Sequence, residues 1–317
     1  MYDKIGNIYA LIDRVIVSEK GSSEVLKLRK LNRIMSIHAS TAIEGNMLTL
    51  EQVTDVINGV PVWGPAKEIK EIQNAWNAYN ELDDYDPWNV EDFLRAHASM
   101  TDTLVGESGK FRSVDVAVVS SDGMILHRGS NPEDVPDLIA ELLEWGKNSD
   151  IHPLIKSSAI HYMIEHIHPF RDGNGRIGRL WQTLIISKWK QIFTWMPVET
   201  LIHHNQRRYY SALRDSNRNK LDCKPFIDFM LNVIEDSLKK YVEMSVNKKS
   251  VSGIELKKRL LLTIKSDPSV SARDLAERLE KSARTIERHM DNLQKEGVLK
   301  RTGSKKTGSW VILKSLE

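Results

Sequence analysis

The chain has 317 residues, of which 41% are hydrophobic and 28% charged, so collagenous and disordered classes are excluded and about two ordinary domains are expected. Its formal net charge of +2 is too small for the whole surface to attract nucleic acid. The single cysteine, Cys223, excludes an intrachain disulfide and favours a reducing, cytoplasmic setting. No apolar run approaches the length of a membrane span, and the first residues lack the pattern of a secretion signal.

Helical spacing of apolar residues dominates the chain, as at Ile160, Met163, Ile164 and Ile167, and predicts a mainly α fold. One interruption lies between residues 113 and 127. There the valines alternate and an Asp-Gly dipeptide follows at 122–123, which predicts a two-stranded β-hairpin.

A polar segment rich in lysine and serine predicts a linker at residues 245–253. The sequence thus divides into an N-terminal helical region (1–110), a core region (111–244), the linker and a C-terminal domain (254–317). Residues 255–317 carry 15 basic and 9 acidic side chains, a surplus of six, and the preceding part carries a net charge of −4. The near-neutral total therefore hides a basic C-terminal domain.

Residues 168–179, HPFRDGNGRIGR, carry the most informative residue types. Pro169 disfavours the α conformation at His168, so a helix should end there and leave the imidazole at a helix–loop junction. Loop-forming residues follow from Asp172 to Gly175, and the apolar period resumes at Ile177. The sequence predicts helix, tight loop and helix, with an anion site at the N-terminus of the second helix.

Arg176 and Arg179 are three residues apart, so both lie on one side of that helix and strengthen the anion site. Asp172 adds a hard oxygen ligand suited to Mg²⁺ against a phosphate. A base, a carboxylate and an anion cradle together favour phosphoryl or nucleotidyl transfer.

Other interpretations of this segment fit less well. Its glycines form G-x-G-x-x-G, but a dinucleotide fingerprint needs a preceding strand and a helix stands there. The spacing of His161, His166 and His168 matches no zinc motif. A surface loop with a structural histidine explains the turn residues but not the histidine, aspartate and two arginines together.

The segment matches the Fic-family motif H-x-F-x-[DE]-G-N-G-R-x-x-R at every specified position. Flanking segments resemble the same domain, including GKFRSVDV before the hairpin and NPEDVPDLIAELLEW after it, so the resemblance covers roughly residues 30–240. It implies a Fic-type helical domain with a β-hairpin flap, and a protein adenylyltransferase that transfers AMP from ATP to a Ser, Thr or Tyr hydroxyl of a protein.

The resemblance also implies roles for individual residues. His168 would be the general base that takes the proton from the target hydroxyl, and Asp172 would hold Mg²⁺ on the α- and β-phosphates. Phe170 would anchor the loop in the core. The groups that would bind phosphate are the N–H groups of Gly173, Asn174 and Gly175 and the side chains of Arg176 and Arg179.

The flap would press a target segment into register by strand-like pairing, although a hairpin that merely covers the core fits the pattern equally. By analogy, Tyr209 and Tyr210, near Asn205, would supply an adenine pocket. Two adjacent aromatic residues on a helix are also commonly divided between core and surface.

An upstream segment, Ser40 to Asn46 (STAIEGN), matches the family's inhibitory pattern [ST]-x-x-x-E-[GN]. Ser40 and Glu44 are four apart and share a face of a helix predicted around residues 34–45, and Gly45 is placed to end it. The resemblance implies that Glu44 forms an ion pair with Arg179 and denies that arginine to the γ-phosphate of ATP. Low basal activity is therefore expected.

The basic C-terminal domain has helix-turn-helix spacing followed by a hairpin pattern, and it resembles a winged helix. Ser271 and Ser282 are predicted helix N-caps. Such domains contact either DNA or a protein partner, and both remain open. The basic side chains expected at that contact are Arg284 and Arg288 on the recognition helix and Lys305 and Lys306 on the wing.

The leading hypothesis is a protein adenylyltransferase that uses ATP and Mg²⁺, is restrained by Glu44, and carries a winged helix that selects the target or location. One alternative is the reverse reaction, in which Glu44 orients water to remove AMP from a protein. Another is a DNA-binding regulator whose Fic domain senses nucleotide. A homodimer is compatible with each, no membrane is implied, and the sequence does not identify the target.

Overall fold

The structure, a computed structural model, describes residues 2–19, 25–119, 125–218, 222–279, 281–303 and 308–314. The chain divides into two compact units, Met1–Val242 and Glu243–Glu317. The predicted fold class is confirmed, since helices predominate and the strands are short. Within the described ranges, no helix combines the length and the apolar character needed to cross a bilayer.

Most of the first unit is helical. Its α-helices are α1 (Tyr2–Glu19), α2 (Val25–Ile43), α3 (Leu50–Ile57), α4 (Ala66–Asn80), α5 (Val90–Thr101), α6 (Val135–Asn148), α7 (Pro153–Ile167), α8 (Asn174–Trp189), α9 (Val198–His204), α10 (Gln206–Arg218) and the first part of α11 (Lys224–Ser266). Short 3₁₀ helices lie at Leu82–Asp84 and Gln191–Thr194. One hydrophobic cluster contains residues from both α4 and α8, so the predicted regions 1–110 and 111–244 share a core and form one unit.

Helices α7 and α8 pack together at the centre of this unit. Helix α8 is buried on nearly every side, and Leu180, Trp181 and Leu184 are fully buried. The Trp181 indole nitrogen also donates to the carbonyl of Pro87 at 3.1 Å. Since both helices are held in the core, the loop between them, residues 168–173 of the HPFRDGNGR segment, is fixed at its two ends.

The predicted inhibitory helix is the second half of α2, which ends at Ile43. Glu44 occupies the following turn, and Gly45 has a left-handed φ of +96°. Its N–H group donates to Ala42, and the N–H group of Asn46 donates to the carbonyl of Thr41, each at 3.1 Å. This is the Schellman pattern, which favours glycine, so the predicted role of Gly45 as the helix stop is confirmed.

The predicted hairpin consists of β1 (Ala117–Val119) and β2 (Ile125–Arg128), which pair antiparallel with Val118 opposite His127. It is shorter than the predicted span of 113–127, because the strand begins only at Ala117. The predicted Asp-Gly turn at 122–123 lies outside the described residues.

The second unit has the winged-helix order predicted for it. The end of α11 is followed by α12 (Ala272–Arg278), α13 (Ala283–Lys295), β3 (Leu299–Thr302) and β4 (Ser309–Ile312). Ser271 caps α12 and Ser282 caps α13 through their side chains, so both predicted N-caps are confirmed. Arg284 and Arg288 are exposed on α13, whereas the predicted wing residues Lys305 and Lys306 lie outside the described residues.

The linker predicted at residues 245–253 differs from the structure, in which α11 continues through it from Lys224 to Ser266. The boundary between the two units falls earlier, after Val242. Lysine, serine and valine are all tolerated in helices, and the one glycine of this segment, Gly253, costs only about 1 kcal/mol in a helix interior. Polar composition alone therefore does not distinguish a helix from a loop.

Candidate active site

The loop between α7 and α8 is tightly turned at both ends. Helix α7 ends at Ile167, and His168 adopts a left-handed conformation with φ 54° and ψ 60°. Gly173 takes φ +88°, and α8 begins at the next residue, Asn174. The predicted sequence of helix, tight loop and helix is confirmed, and the helix ends before His168 as Pro169 predicted. His168 takes the left-handed conformation, whereas a following proline usually favours extended backbone.

His168 is held as a neutral imidazole with a defined tautomer. Its Nδ1 lies 3.3 Å from the carbonyl oxygen of Glu165, and a carbonyl only accepts hydrogen bonds, so Nδ1 carries the proton. Burial lowers the pKa of His168 to about 4, which keeps the ring uncharged near neutral pH. The lone pair on Nε2 is thus available to accept a proton.

Arg112 fixes the backbone around His168. Its side chain is only 2% exposed, and its Nε donates to the His168 carbonyl at 2.7 Å. The same guanidinium donates to the carbonyls of Val114, at 2.8 Å, and of Ser130 and Ile167. The buried Arg112 guanidinium therefore links His168, which has the left-handed conformation, to the segments before and after the hairpin.

His97, on α5, supports the other end of the loop. Its Nδ1 accepts from the Gly109 N–H group at 3.0 Å, so its Nε2 donates to the carbonyl of Asp172, also at 3.0 Å. The ring stacks on Phe170 with centroids 3.6 Å apart, and Phe170 is fully buried, which agrees with its predicted anchoring role. Burial lowers the pKa of His97 to about 4, so this support is a neutral histidine.

No side chain in the described part of the chain caps the N-terminus of α8. The amide of Asn174 is used within the loop instead, where it accepts from the Phe170 N–H group at 2.9 Å and donates to the Phe170 carbonyl at 2.8 Å. The first backbone N–H groups of α8 point out of its N-terminal end, as helix geometry requires, and form a cradle for an anion. Asn174 shapes that cradle through its side chain.

The carboxylate of Glu44 lies against this cradle. A side chain at position 175 would collide with Glu44 Oε1, so the approach depends on Gly175 having none. Glu44 Oε1 lies 2.6 Å from Arg179 Nη2, and the predicted ion pair is thus present. Arg179 also donates from Nε to Ser40 Oγ and from Nη2 to the Ser40 carbonyl, each at 2.9 Å.

These partners stabilise the charge of Arg179. The guanidinium is almost fully buried, and burial opposes its charge, but the Glu44 carboxylate more than compensates and raises its pKa. Its Nη1 is buried with no hydrogen-bond partner among the described residues. A buried cation with one unpaired nitrogen is suited to a second anionic partner.

Arg176 is buried between two carboxylates. Its Nη1 lies 2.5 Å from Glu71 Oε1 and its Nη2 lies 2.9 Å from Asp172 Oδ1. Both terminal nitrogens are therefore engaged, and the predicted contact with departing phosphates is not preformed in this arrangement.

Asp172 is better suited to bind a cation together with a nucleotide than to form a metal site from protein groups alone. Its side chain is 49% exposed, Oδ1 accepts from Arg176 and from the Gly173 N–H group, and no described protein group bonds to Oδ2. The described residues contain no cluster of three or more metal-ligating side chains. Mg²⁺ typically binds one or two carboxylates together with substrate phosphates and water, so the donor set suits Mg²⁺ carried by a nucleotide.

Tyr209 is buried rather than exposed to a ligand. Its hydroxyl donates to Glu165 Oε1 at 3.0 Å, and its oxygen lies 3.1 Å from His161 Nε2. Burial, and then the charge of nearby Glu44, raise the pKa of Glu165 to about 7. The adenine-pocket role predicted for Tyr209 does not agree with this position, since the side chain packs in the core as adjacent helical aromatics commonly do.

A cavity of about 330 Å³ lies between the hairpin, α7 and α10. Tyr210 lines it, and Asn205 does not. The other lining residues are Val118, His127, Tyr162, Glu165, His166, Leu213, Arg214 and Asn217. It is a partly apolar cavity with a few polar groups, of the kind that binds small molecules.

Four residues of this site were not predicted from the sequence: Glu71, His97, Arg112 and Asn217. Arg112 offered a weak signal, because it lies in the family-like segment GKFRSVDV, directly before the alternating valines. The other three stand among ordinary helix residues, and only the folded chain brings them to the loop or to the cavity.

Both parts of the chain are similar to known protein families. The Fic/DOC family model matches residues 87–186, and a winged helix-turn-helix DNA-binding model matches residues 255–300. The crystal structure of a Fic family protein from Desulfovibrio desulfuricans G20 is 34% identical, with a TM-score of 0.68, and the match covers 99% of this chain and 97% of that one. The chain belongs to the Fic family.

Relatives with lower sequence identity are named for an enzymatic activity. Protein adenylyltransferase fic-1 of Caenorhabditis elegans is 25% identical over 70% of this chain and 43% of its own length. Protein adenylyltransferase Fic of Nematostella vectensis is 26% identical over 73% of this chain and 53% of its own. The chain thus spans about half the length of the curated relatives it matches. A solved structure of Fic-1 from C. elegans shares the fold, at 22% identity and a TM-score of 0.62, over 78% of this chain and 74% of that one.

Proposed function

We propose that this chain is a protein adenylyltransferase that transfers AMP from ATP to a hydroxyl side chain of a protein and is restrained by Glu44. The proposal is supported by the neutral His168, whose Nε2 has no hydrogen-bond partner among the described residues, and by the N-terminus of α8, which no described side chain caps. The names of the adenylyltransferase relatives support the same activity.

In the proposed reaction the target hydroxyl oxygen forms a bond to the α-phosphorus of ATP, and the bond to the oxygen that bridges to the β-phosphorus breaks. The hydroxyl proton passes to His168 Nε2, and pyrophosphate leaves. The N–H groups of Asn174 and Gly175 stabilise phosphate charge, and that of Gly173 joins them once Asp172 Oδ1 has released it. Arg179 binds the γ-phosphate once Glu44 has released it. Asp172 would hold Mg²⁺, which supplies further charge neutralisation when bound.

Position-specific labelling of ATP tests the proposed activity. The Glu44→Gly chain, incubated with Mg²⁺ and ATP labelled at the α-phosphorus, is expected to leave label on itself or on a protein added from a lysate. ATP labelled at the γ-phosphorus is expected to leave none, because that phosphorus departs in pyrophosphate. Label retained only from the γ-position would mean phosphorylation and would contradict the proposal.

The low pKa of His168 predicts a flat pH profile for transfer near neutrality. A general base must be unprotonated, and with a pKa of about 4 the imidazole stays so from pH 8 down to 6. A histidine with the ordinary pKa of about 6.5 would be about three quarters protonated at pH 6. Single-turnover rates of the Glu44→Gly chain between pH 6 and 8 measure this, and a fall centred near 6.5 would contradict it.

The cavity between the hairpin, α7 and α10 is the best candidate for the nucleobase of ATP. Asn217 Oδ1 accepts from the Tyr162 hydroxyl at 2.7 Å and lies 3.1 Å from His166 Nδ1, which fixes the amide and leaves its NH₂ group to donate to ring nitrogens. Val118 and Tyr210 supply apolar and aromatic surface for the ring.

Asn217→Ala is therefore expected to raise the KM for ATP about tenfold, the loss of one hydrogen bond of about 1.4 kcal/mol, with little change in kcat. Asn205→Ala is the matched control, because Asn205 lies outside the cavity and its amide donates to the Leu201 carbonyl. Equal KM values for the two variants would exclude Asn217 from nucleobase binding.

The winged helix is proposed to contact DNA through α13. Arg284 and Arg288 are exposed on that helix, and residues 255–317 carry the basic surplus. The affinity of the full chain for duplex DNA should fall steeply as the salt concentration rises. The double variant Arg284→Ala, Arg288→Ala should reduce the slope of log K against log salt concentration by about two. Arg278→Ala is the control, since Arg278 pairs with Asp267 at 3.2 Å. No duplex binding at low salt would instead favour a protein partner.

A further inference from the structure

Glu71, on α4, joins two parts of the site that are far apart in sequence. Its side chain is 12% exposed and its Oε1 pairs with Arg176 Nη1, whose side chain is 5% exposed. Its Oε2 accepts from Asn46 Nδ2 at 2.8 Å. Glu71 therefore bridges the first arginine of the motif and the turn that follows the inhibitory helix.

The pairing of Arg176 with Glu71 determines whether Arg176 binds one or both carboxylate oxygens of Asp172. A buried guanidinium needs compensating negative charge, and Arg176 finds it in Glu71 on one nitrogen and in Asp172 Oδ1 on the other. Asp172 Oδ2 remains without a described protein partner. Without Glu71, Asp172 would be the only carboxylate paired with Arg176 among the described residues. A bidentate ion pair between them would then occupy both carboxylate oxygens of Asp172.

We infer that Glu71 is a positioning residue for divalent-cation binding at Asp172 and acts through Arg176. It keeps one oxygen of Asp172 available, and it neutralises a guanidinium charge that would otherwise repel the cation. Both effects raise cation affinity. The inference rests on the proposed function only in taking Asp172 as the cation's carboxylate.

Glu71 is itself held by the turn after Glu44. The Asn46 amide donates to Glu71 Oε2 and to the Glu68 carbonyl at 3.1 Å, while its oxygen accepts from the Leu48 N–H group at 3.1 Å. Asn46 is two residues beyond Glu44, so the same turn carries the inhibitory carboxylate and orients the residue that supports Asp172. Asn46→Ala should consequently weaken cation binding, as a change at Glu71 does, but to a smaller extent.

Titration of Mn²⁺, followed by electron paramagnetic resonance, tests the inference on the full chain with an ATP analogue whose α–β bridge is a methylene group. Glu71→Gln is expected to raise the Kd for Mn²⁺ about 10- to 100-fold, the range typical of residues that support metal ligands. Glu68→Gln is the matched control, because Glu68 lies on the same helix and accepts from the Met47 N–H group at 2.8 Å without reaching Arg176. Its Kd is expected to be unchanged.

An unchanged Kd in Glu71→Gln, or an equal rise in Glu68→Gln, would overturn the inference. If Glu71→Gln fails to fold, as circular dichroism would reveal, Asn46→Ala decides: a raised Kd supports the inference and an unchanged one overturns it. The titration requires no AMP transfer, so a chain that transfers no AMP yet shows Glu71-dependent Mn²⁺ binding would contradict the proposed function and leave this inference standing.

Discussion

Replacing Glu44 by glycine is expected to raise the rate of AMP transfer about 5- to 150-fold, the span of a coupling free energy of about 1 to 3 kcal/mol. Glu44 holds Arg179 Nη2 at 2.6 Å and lies against Gly175, so its carboxylate occupies the space and the positive charge that a γ-phosphate would use. Removing it leaves a nearly buried guanidinium in need of an anion. The triphosphate of ATP then becomes that anion.

Two further variants separate the possible causes of this release. Glu44→Gln keeps the bulk but removes the charge, and partial release is expected because the ion pair is lost while the space stays filled. Glu51→Gln removes an exposed carboxylate on α3, away from Arg179, and should leave the rate unchanged. Equal rates for the parent and Glu44→Gly, measured as labelled AMP incorporated per minute, would contradict the proposed inhibition.

His168→Ala, made in the Glu44→Gly chain, is expected to lower AMP transfer about 10²- to 10⁴-fold, the usual contribution of a general base. ATP binding should change little, since the phosphate cradle is made of backbone groups and arginines rather than of the imidazole. The two readouts are labelled transfer and the Kd for ATP by calorimetry. His204→Ala, at an exposed position on α9, serves as the control.

Transfer that persists in His168→Ala at the rate of the control would exclude this histidine as the base. Loss of ATP binding together with transfer would instead indicate that the loop had collapsed, and Arg112 and His97 are the residues that should prevent this.

The parts of the site that the sequence predicted depend on short-range rules. Pro169 ends α7 and places His168 at the junction, and Gly45 ends α2 by a Schellman turn that brings Glu44 to the end of its helix. The pairing of Glu44 with Arg179 followed from the family resemblance rather than from spacing, because 135 residues separate them.

The parts that the sequence did not predict depend on contacts between distant segments. Glu71 reaches Arg176 across 105 residues, and His97 reaches Asp172 across 75. Each is one polar residue on a helix, and nothing in its local pattern distinguishes it from a solvated side chain. The linker predicted at residues 245–253 lies within α11, since a polar segment can remain helical when no strong helix breaker interrupts it.

We propose that this chain transfers AMP to protein through His168 under the restraint of Glu44. Intact-mass measurement after incubation with Mg²⁺ and ATP tests it most directly, with the parent, Glu44→Gly, and Glu44→Gly combined with His168→Ala compared on the same protein substrate. A gain of one AMP is predicted with Glu44→Gly, little or none with the parent, and none with the double variant. No AMP gain with Glu44→Gly, or the same gain in all three, would contradict the claim.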